Sequence, residues 1–370
     1  MKRTNYNGLY IWQHDDWPNL RWDPQAILQP LADVSALHGA LMERMASVGM
    51  NAADTLSLSA MTDELVNSSQ IEGLMLDHAS VRSSIGRRLG IEQYGLPPED
   101  HYIEGLVDVM MDAVSNCMAP LTSERLFDWH SALFPTGRSG MTPITVGGWR
   151  TGEAPMRVVS GAFGHEKVHY VAPPSERVPA EMTAFLAFCA ESCLPPAILA
   201  AVAHLWFVCI HPFDDGNGRI SRTVADMFLA RMDAGRGRFY SVSAEINRRK
   251  KQYYDILERT QCGRLDITEW IIWFLDCLAS ALHRALALTE RTLAKAAFWN
   301  KFRDEEINER QRKVLNRLWD GFEGNLTTSR WARMCHCSQD TALRDVRDLM
   351  ARGMLVVSAS GGRSTSYSIP

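Results

Sequence analysis

The residues best placed to do chemistry lie in one stretch of twelve, His211 to Arg222, reading HPFDDGNGRISR. Gly216 and Gly218 can take positive φ, so backbone N–H groups can turn towards one point. A loop of that kind opening onto a helix N-terminus makes an anion site. Arg219 and Arg222 are three residues apart, one helical turn, and can face the same anion. Asp215 supplies a carboxylate suited to a Mg²⁺ that bridges phosphates. His211, at the loop entrance, titrates near neutral pH and can serve as a base. An anion cradle, two arginines, a metal carboxylate and a base suit phosphoryl or nucleotidyl transfer.

These parts need elements that hold them. The run before the loop, AILAAVAHLWFVCI (197–210), is apolar nearly all round and reads as a buried central helix. Pro212 and Phe213 end it. Ile220, Val224 and Phe228 then recur at helical spacing, predicting a second helix over 218–231. Further helices are expected over 248–261 and from 268 to about 295. Between 137 and 174 Gly and Pro cluster, and MRVVS and KVHYV flank Gly161 and Gly164. That pattern predicts a β-hairpin. Residues 1–54 are aromatic-rich and turn helical from about Asp33; 55–90 read as one or two helices.

A second constellation lies upstream. Leu58, Met61, Leu65, Ser68 and Glu72 fall on one helical stripe. The first three are apolar, so Glu72 projects from a face that should be buried, where a carboxylate needs a partner. Taken alone, it reads more simply as a helix-end residue in solvent.

Residues 307–370 differ in character. Helices are expected at 309–319, 329–335 and 339–352, followed by MLVVS, a Gly-Gly turn and TSYSI. Three helices and a small hairpin is the order of a winged helix-turn-helix. This stretch carries a net charge of +4 and the remainder −8, within a whole-chain charge of −4. A basic end suits DNA. Against it, Asp340 and Asp348 share the outer face of the third helix with Arg344 and Arg347. A protein-binding or dimerisation module is therefore favoured there.

Composition bounds the rest. The 370 residues are 46% hydrophobic and 22% charged, which excludes a disordered, collagen-like or coiled-coil chain. No run reaches the roughly 20 apolar residues of a membrane span, and the N-terminus lacks a secretory h-region. The eight cysteines are scattered and read as reduced thiols of a cytosolic protein. Cys335-His336-Cys337 has no second half at zinc-finger spacing. His165–His169 matches HExxH. On a strand, however, those histidines stand about 13 Å apart, too far for one zinc. No P-loop pattern is present.

HPFDDGNGRISR resembles the signature of Fic-domain proteins, HPFx(D/E)GNGRxxR, at every fixed position. Gly148-Trp149-Arg150 with the following hairpin, and YYDILERTQ with LDITEWIIWFL, are similar to further parts of that family. The resemblance implies a mainly α fold: a Fic helical core with a β-hairpin flap, plus the C-terminal winged helix. It divides the chain into a helical region with an inhibitory helix (1–90), a catalytic core (91–300) and the winged helix (301–370).

The activity it implies is transfer of AMP from ATP to a target protein's hydroxyl side chain. His211 would take the hydroxyl proton and Asp215 would hold Mg²⁺. Phe213, Gly216, Asn217, Gly218, Arg219 and Arg222 would form the nucleotide site, with Tyr254 and Gln261 at the adenine. Val168, His169, Tyr170 and Val171 would pair with an extended target segment. Ser68-x-x-x-Glu72-Gly73 is similar to the family's inhibitory motif, in which the glutamate pairs with the second arginine, here Arg222. The same glutamate can align water, so removal of AMP from a target is the alternative activity. A nucleotide-sensing DNA-binding regulator is the non-enzymatic one. The target could be a Ser, Thr or Tyr of another protein or of the chain itself, DNA would engage 307–370, no membrane is expected, and a homodimer stays open.

Overall fold

The structure is a computed structural model of the chain, describing residues 9–91, 100–161, 166–233, 237–358 and 365–370. Among these residues it has fourteen α-helices and three two-stranded antiparallel pairs. The fold is mainly α, as the sequence predicts.

The first helices are α1 (Pro24–Ser47), α2 (Met50–Ile71), α3 (His78–Arg88), α4 (His101–Ser115) and α5 (Ser123–Leu133). Helix α1 starts nine residues earlier than the apolar pattern suggests. Asp23 caps it by accepting from the Gln25 N–H, and Pro24 takes the first position, where no N–H is missed. Helix α2 ends on Glu72 and then Gly73, at φ 82°. The N–H groups of Gly73 and Leu74 return to the carbonyls of Gln70 and Ser69. This is a Schellman cap, and it needs the left-handed residue that glycine supplies.

Two hairpins follow. Strands β1 (Arg138–Ser139) and β2 (Thr142–Pro143) form a short one; β3 (Arg157–Ser160) and β4 (Lys167–Val171) form the longer. In the second, Val158 faces Tyr170 and Val159 faces Val168, leaving His169 as a bulge. The turn, 162–165, lies outside the described residues, and with it His165 of the HExxH pattern. His169 itself stands on a strand.

Next come α6 (Val178–Glu191), α7 (Pro196–Ile210), α8 (Asn217–Met232), α9 (Val242–Arg248), α10 (Lys250–Gln261) and α11 (Thr268–Lys301). Every residue of α7 from Ala197 to Ile210 is buried, which explains a sequence with no polar face. The helix expected over 248–261 is α10, starting two residues later, and α9 before it is unexpected; the two part at Arg249. By length and composition α11 could cross a bilayer, a window the sequence reading missed. In this fold its Trp270, Ile271, Phe274, Leu275 and Leu278 are wholly buried core.

The chain divides into compact units 1–286 and 287–370, the boundary falling inside α11. The first unit holds both the N-terminal helices and the loop after α7. The second contains α12 (Glu309–Trp319), α13 (Thr328–Cys335), α14 (Gln339–Ala351) and the pair β5 (Val356–Val357) and β6 (Tyr367–Ser368). Its own core gathers Val314, Leu315, Trp331, Ala342, Val346, Leu349 and Leu355, with Phe298 and Phe302 of α11. The Gly-Gly turn between β5 and β6 lies outside the described residues. Cys117, Cys189, Cys209 and Cys277 are buried, Cys193 is exposed, and all eight cysteines are free thiols.

Candidate active site

The loop 211–216 joins α7 to α8, and its own bonds set its shape. His211 ends α7 in the left-handed region, φ 53° and ψ 59°, an unusual place for a residue with a side chain. The Phe213 N–H donates to Asn217 Oδ1 (2.9 Å), and Asn217 Nδ2 donates to the Phe213 carbonyl (2.8 Å). The Asn217 side chain is thus spent inside the loop, which leaves its backbone at the start of α8. Phe213 is 0% exposed and stacks on His130 at 4.1 Å. It anchors the loop in the core and cannot touch a nucleotide, contrary to its expected place in the nucleotide site.

His211 is partly buried, and its Nδ1 lies 3.1 Å from the Val208 carbonyl. A carbonyl only accepts, so Nδ1 carries the proton and Nε2 is left as the basic nitrogen. Burial lowers the pKa of this histidine, helped by the Arg150 charge. The imidazole is therefore neutral at pH 7.

Arg150 is a residue that sequence reasoning quoted without assigning a role. It is 3% exposed. Its Nε donates to the His211 carbonyl (2.7 Å), its Nη2 to Pro173 (2.5 Å), and its backbone N–H to Pro212 (2.9 Å). A buried cation at the end of α7 satisfies carbonyls that have no helical partner. It ties His211 to the segment leaving β4.

The anion seat lies at the N-terminus of α8. Gly216 takes φ 81°, and a Cβ there would strike the Phe134 ring (2.8 Å). At Gly218 a Cβ would drive into the Glu72 carboxylate. Arg219 is buried, with Nη1 on the Tyr102 hydroxyl (3.0 Å) and its guanidinium over Phe134 (4.9 Å). It has no carboxylate partner among the described residues, and its Nε has no hydrogen bond. Unpartnered positive charge at a helix N-terminus is a seat for an anion.

Glu72 takes that seat. Arg222, 2% exposed, donates Nη2 to Glu72 Oε1 (2.7 Å) and to the Ser68 carbonyl (2.9 Å), and Nε to Ser68 Oγ (2.9 Å). Burial works against the guanidinium's charge, and the Glu72 carboxylate together with the Tyr253 and Tyr254 hydroxyls more than offsets it, so the Arg222 pKa is raised. The structure thus joins residues 150 positions apart. The end of α2 has further holds. Tyr254 donates its hydroxyl to the Ile71 carbonyl (3.1 Å) and Lys250 its ammonium to Gln70 (3.3 Å). Asn247 reaches the side chains of Asn67 (2.9 Å) and Gln70 (3.0 Å).

Asp215 accepts from the Gly216 N–H (2.6 Å) and from the Ser139 hydroxyl. His130 donates to its carbonyl (3.1 Å), and the Thr145 N–H holds Asp214 (2.8 Å). No cluster of three metal-binding side chains occurs among the described residues. A single carboxylate still fits Mg²⁺ carried in on phosphates, and its two oxygens keep lone pairs free. Gln261 is buried, and its amide nitrogen has no partner.

The hairpin differs from expectation. The outer edge of β4 is already covered: Trp12 Nε1 donates to the Val171 carbonyl (2.7 Å) and the Cys262 thiol to that of His169 (3.5 Å). Tyr170 is 0% exposed and donates to the Cys209 carbonyl (2.7 Å). Its side chain is core. Val168–Val171 therefore cannot offer a bare edge, and the open edge is β3. Glu258 of α10 holds the hairpin through Lys167 (2.8 Å) and His169 (2.6 Å).

The Fic/DOC family matches residues 120–229, which contain the loop and both arginines. Residues 120–229 are a Fic domain. A domain of unknown function (DUF4172) matches residues 10–91. Proteins named protein adenylyltransferase Fic resemble part of the Fic-domain chain. That of Aedes aegypti is 37% identical over 98 residues, 26% of this chain and 16% of that protein. That of Drosophila grimshawi is 37% identical over 89 residues, 24% and 17% of the two chains. The matches span about one-sixth of those relatives. A crystal structure of a Fic family protein from Desulfovibrio desulfuricans shares the fold with a TM-score of 0.56. Identity is 19%, and the match covers 95% of this chain and 97% of that one. A Fic domain containing signaling protein from Bacteroides thetaiotaomicron gives a TM-score of 0.52 at 21% identity, covering 70% and 96%.

Proposed function

We propose that the chain is an autoinhibited protein adenylyltransferase. The observation that carries this reading is the Glu72 carboxylate, lodged against Gly218 and paired with Arg222. A carboxylate so placed stands where a phosphate would bind. With Phe213 set aside and Asn217 acting through its backbone, the roles implied by the Fic signature fit the geometry around it. His211 Nε2 accepts the proton of a Ser, Thr or Tyr hydroxyl. That oxygen bonds to the α-phosphorus of ATP, the bond to the bridging oxygen breaks, and pyrophosphate leaves. The backbone of 216–218 and Arg219 hold the phosphates, and Arg222 takes the γ-phosphate once Glu72 leaves it. Mg²⁺, held by Asp215 with the phosphates, would supply charge neutralisation. Tyr254 and Gln261 border the base. A target segment would add to β3. Residues 1–90 carry the brake, 91–300 the chemistry and 301–370 a separate module.

Removing one partner from a buried pair shifts an equilibrium by about 3–5 kcal/mol. Fully expressed, that is about two to four decades in rate. Glu72 is 33% exposed on its side chain, so the effect here is smaller, a decade or more. Incubation with α-labelled ATP and Mg²⁺ should label protein strongly with Glu72→Gly and weakly with wild type. Equal labelling of the two would sink the brake. Intact-mass measurement after incubation with each of the four nucleotides reads the transferred group directly. The solvent-open part of Glu72 favours a second reading, alignment of a water for removing AMP. Release of AMP from a modified target by wild type, lost in Glu72→Gly, would establish it.

A further inference from the structure

The outer face of α14 carries a different charge from the one its sequence suggests. By spacing alone, Asp340 and Asp348 sit among Arg344 and Arg347. In the structure Asp348 accepts from Gln311 Nε2 (2.7 Å) and from Arg352 Nε (3.0 Å). Asp345 is 6% exposed and accepts from Arg310 Nε (2.9 Å) and Asn308 Nδ2 (3.0 Å). Asp345 is thus satisfied from α12 and its N-cap, and Asp348, still partly exposed, from α12 and from Arg352 at the end of α14 itself. Gln339, Asp340, Arg344 and Arg347 remain exposed. Arg344 and Arg347, with Arg333 of α13, have no ion pair among the described residues.

The scaffold holds this face open. Ala342, Val346 and Leu349 bury the opposite side of α14. Helix α13 turns into α14 through His336 at φ 50°, and Gln339 Nε2 reaches Ser329 Oγ (3.4 Å). The two helices therefore begin side by side, with Arg344 and Arg347 one turn apart on the second.

A protein partner would want an apolar anchor at the centre of such a face. The large exposed apolar side chains described in this unit are Leu288, Val356 and Val357, none on α13 or α14. What α14 presents instead, beside the one acid Asp340, is arginine and glutamine, the side chains that match phosphates and base edges. We infer that the outer face of α14 is a docking surface for duplex DNA. This reverses the preference for a protein-binding module drawn from the sequence, and it is independent of the catalytic reading.

Fluorescence anisotropy of the full chain with a labelled duplex of random sequence tests it, with salt varied from about 50 to 200 mM. Binding should weaken steeply with salt. Arg344→Ala/Arg347→Ala should flatten the log–log slope by about two, one per lost phosphate contact. Asp340→Asn should tighten binding by about two- to fivefold. The thermal melt, and AMP transfer in the Glu72→Gly background, should stay unchanged in both variants. No binding at the low-salt end, binding insensitive to salt, or equal binding by the double variant would overturn the inference. So would polyglutamate displacing the duplex as well as unlabelled DNA does, since that marks a face for acidic protein.

Discussion

Two regions meet at the start of α8, and they are held in opposite ways. The loop 211–216 closes on itself and is bolted into the core: Asn217 closes on Phe213, Phe213 plugs the core, and buried Arg150, 61 positions away, secures the His211 carbonyl. The end of α2 is fixed from without, by Arg222, Tyr254 and Lys250, all far away in sequence. A region closed on itself keeps one shape. A region held by distant donors can leave when those donors find another partner. Loosening the first should destroy activity; loosening the second should create it.

The sign of a mutation's effect therefore reports the region it touches. The largest effect is expected for His211→Ala placed on Glu72→Gly. Loss of a general base should lower AMP transfer by about two to four decades with the thermal melt intact. Unchanged transfer would remove the loop from the chemistry. Next comes Glu72→Gly alone, a gain of a decade or more.

Arg150→Ala, again on Glu72→Gly, should lower kcat by about tenfold and leave the KM for ATP in place. Buried carbonyls left unpaired cost about 1–3 kcal/mol each, so the melting temperature should also fall. A rise in transfer would put Arg150 on the brake's side. Tyr254→Phe keeps the ring and removes one hydrogen bond to α2, about 0.5–1.5 kcal/mol. Basal transfer should rise by a few fold; a fall would show the hydroxyl serving the nucleotide instead.

The smallest effect is a displacement along the pH axis. Burial lowers the His211 pKa. A lowered pKa keeps the imidazole neutral to more acid pH, so the acid limb of kcat/KM should lie below the ordinary histidine value of about 6.5. A limb at or above that value would mean that protonated His211 is not what limits the reaction.

The same contrast explains what could be read in advance. Short-range chemistry was legible. Gly216 at positive φ, a helix starting after it and the apolar α7 all follow from neighbours in sequence, whereas Gly218, expected at positive φ as well, lies inside α8 without it. Long-range partnerships were not. Asn217 looks like a phosphate ligand until its bonds to Phe213 are seen. The outer edge of β4 looks bare until Trp12, 159 positions away, is found on it. Asp348 looks like part of an outer face until Gln311 and Arg352 claim it. The pairing of Glu72 with Arg222 came from resemblance and not from periodicity, which on its own favoured a glutamate in solvent. Helical spacing says where a side chain starts and not whom it meets.

The seat at Gly218 has a consequence for nucleotide affinity. If carboxylate and phosphate exclude one another there, ATP binds productively only to the fraction of molecules whose α2 end has withdrawn. The apparent Kd then exceeds the intrinsic one by the inverse of that fraction. Linkage is reciprocal, so whatever lifts α2 tightens ATP by the same factor by which ATP favours the lifted form. A ligand or partner need not touch the loop to switch the protein on. It has only to prefer the state in which Glu72 is away.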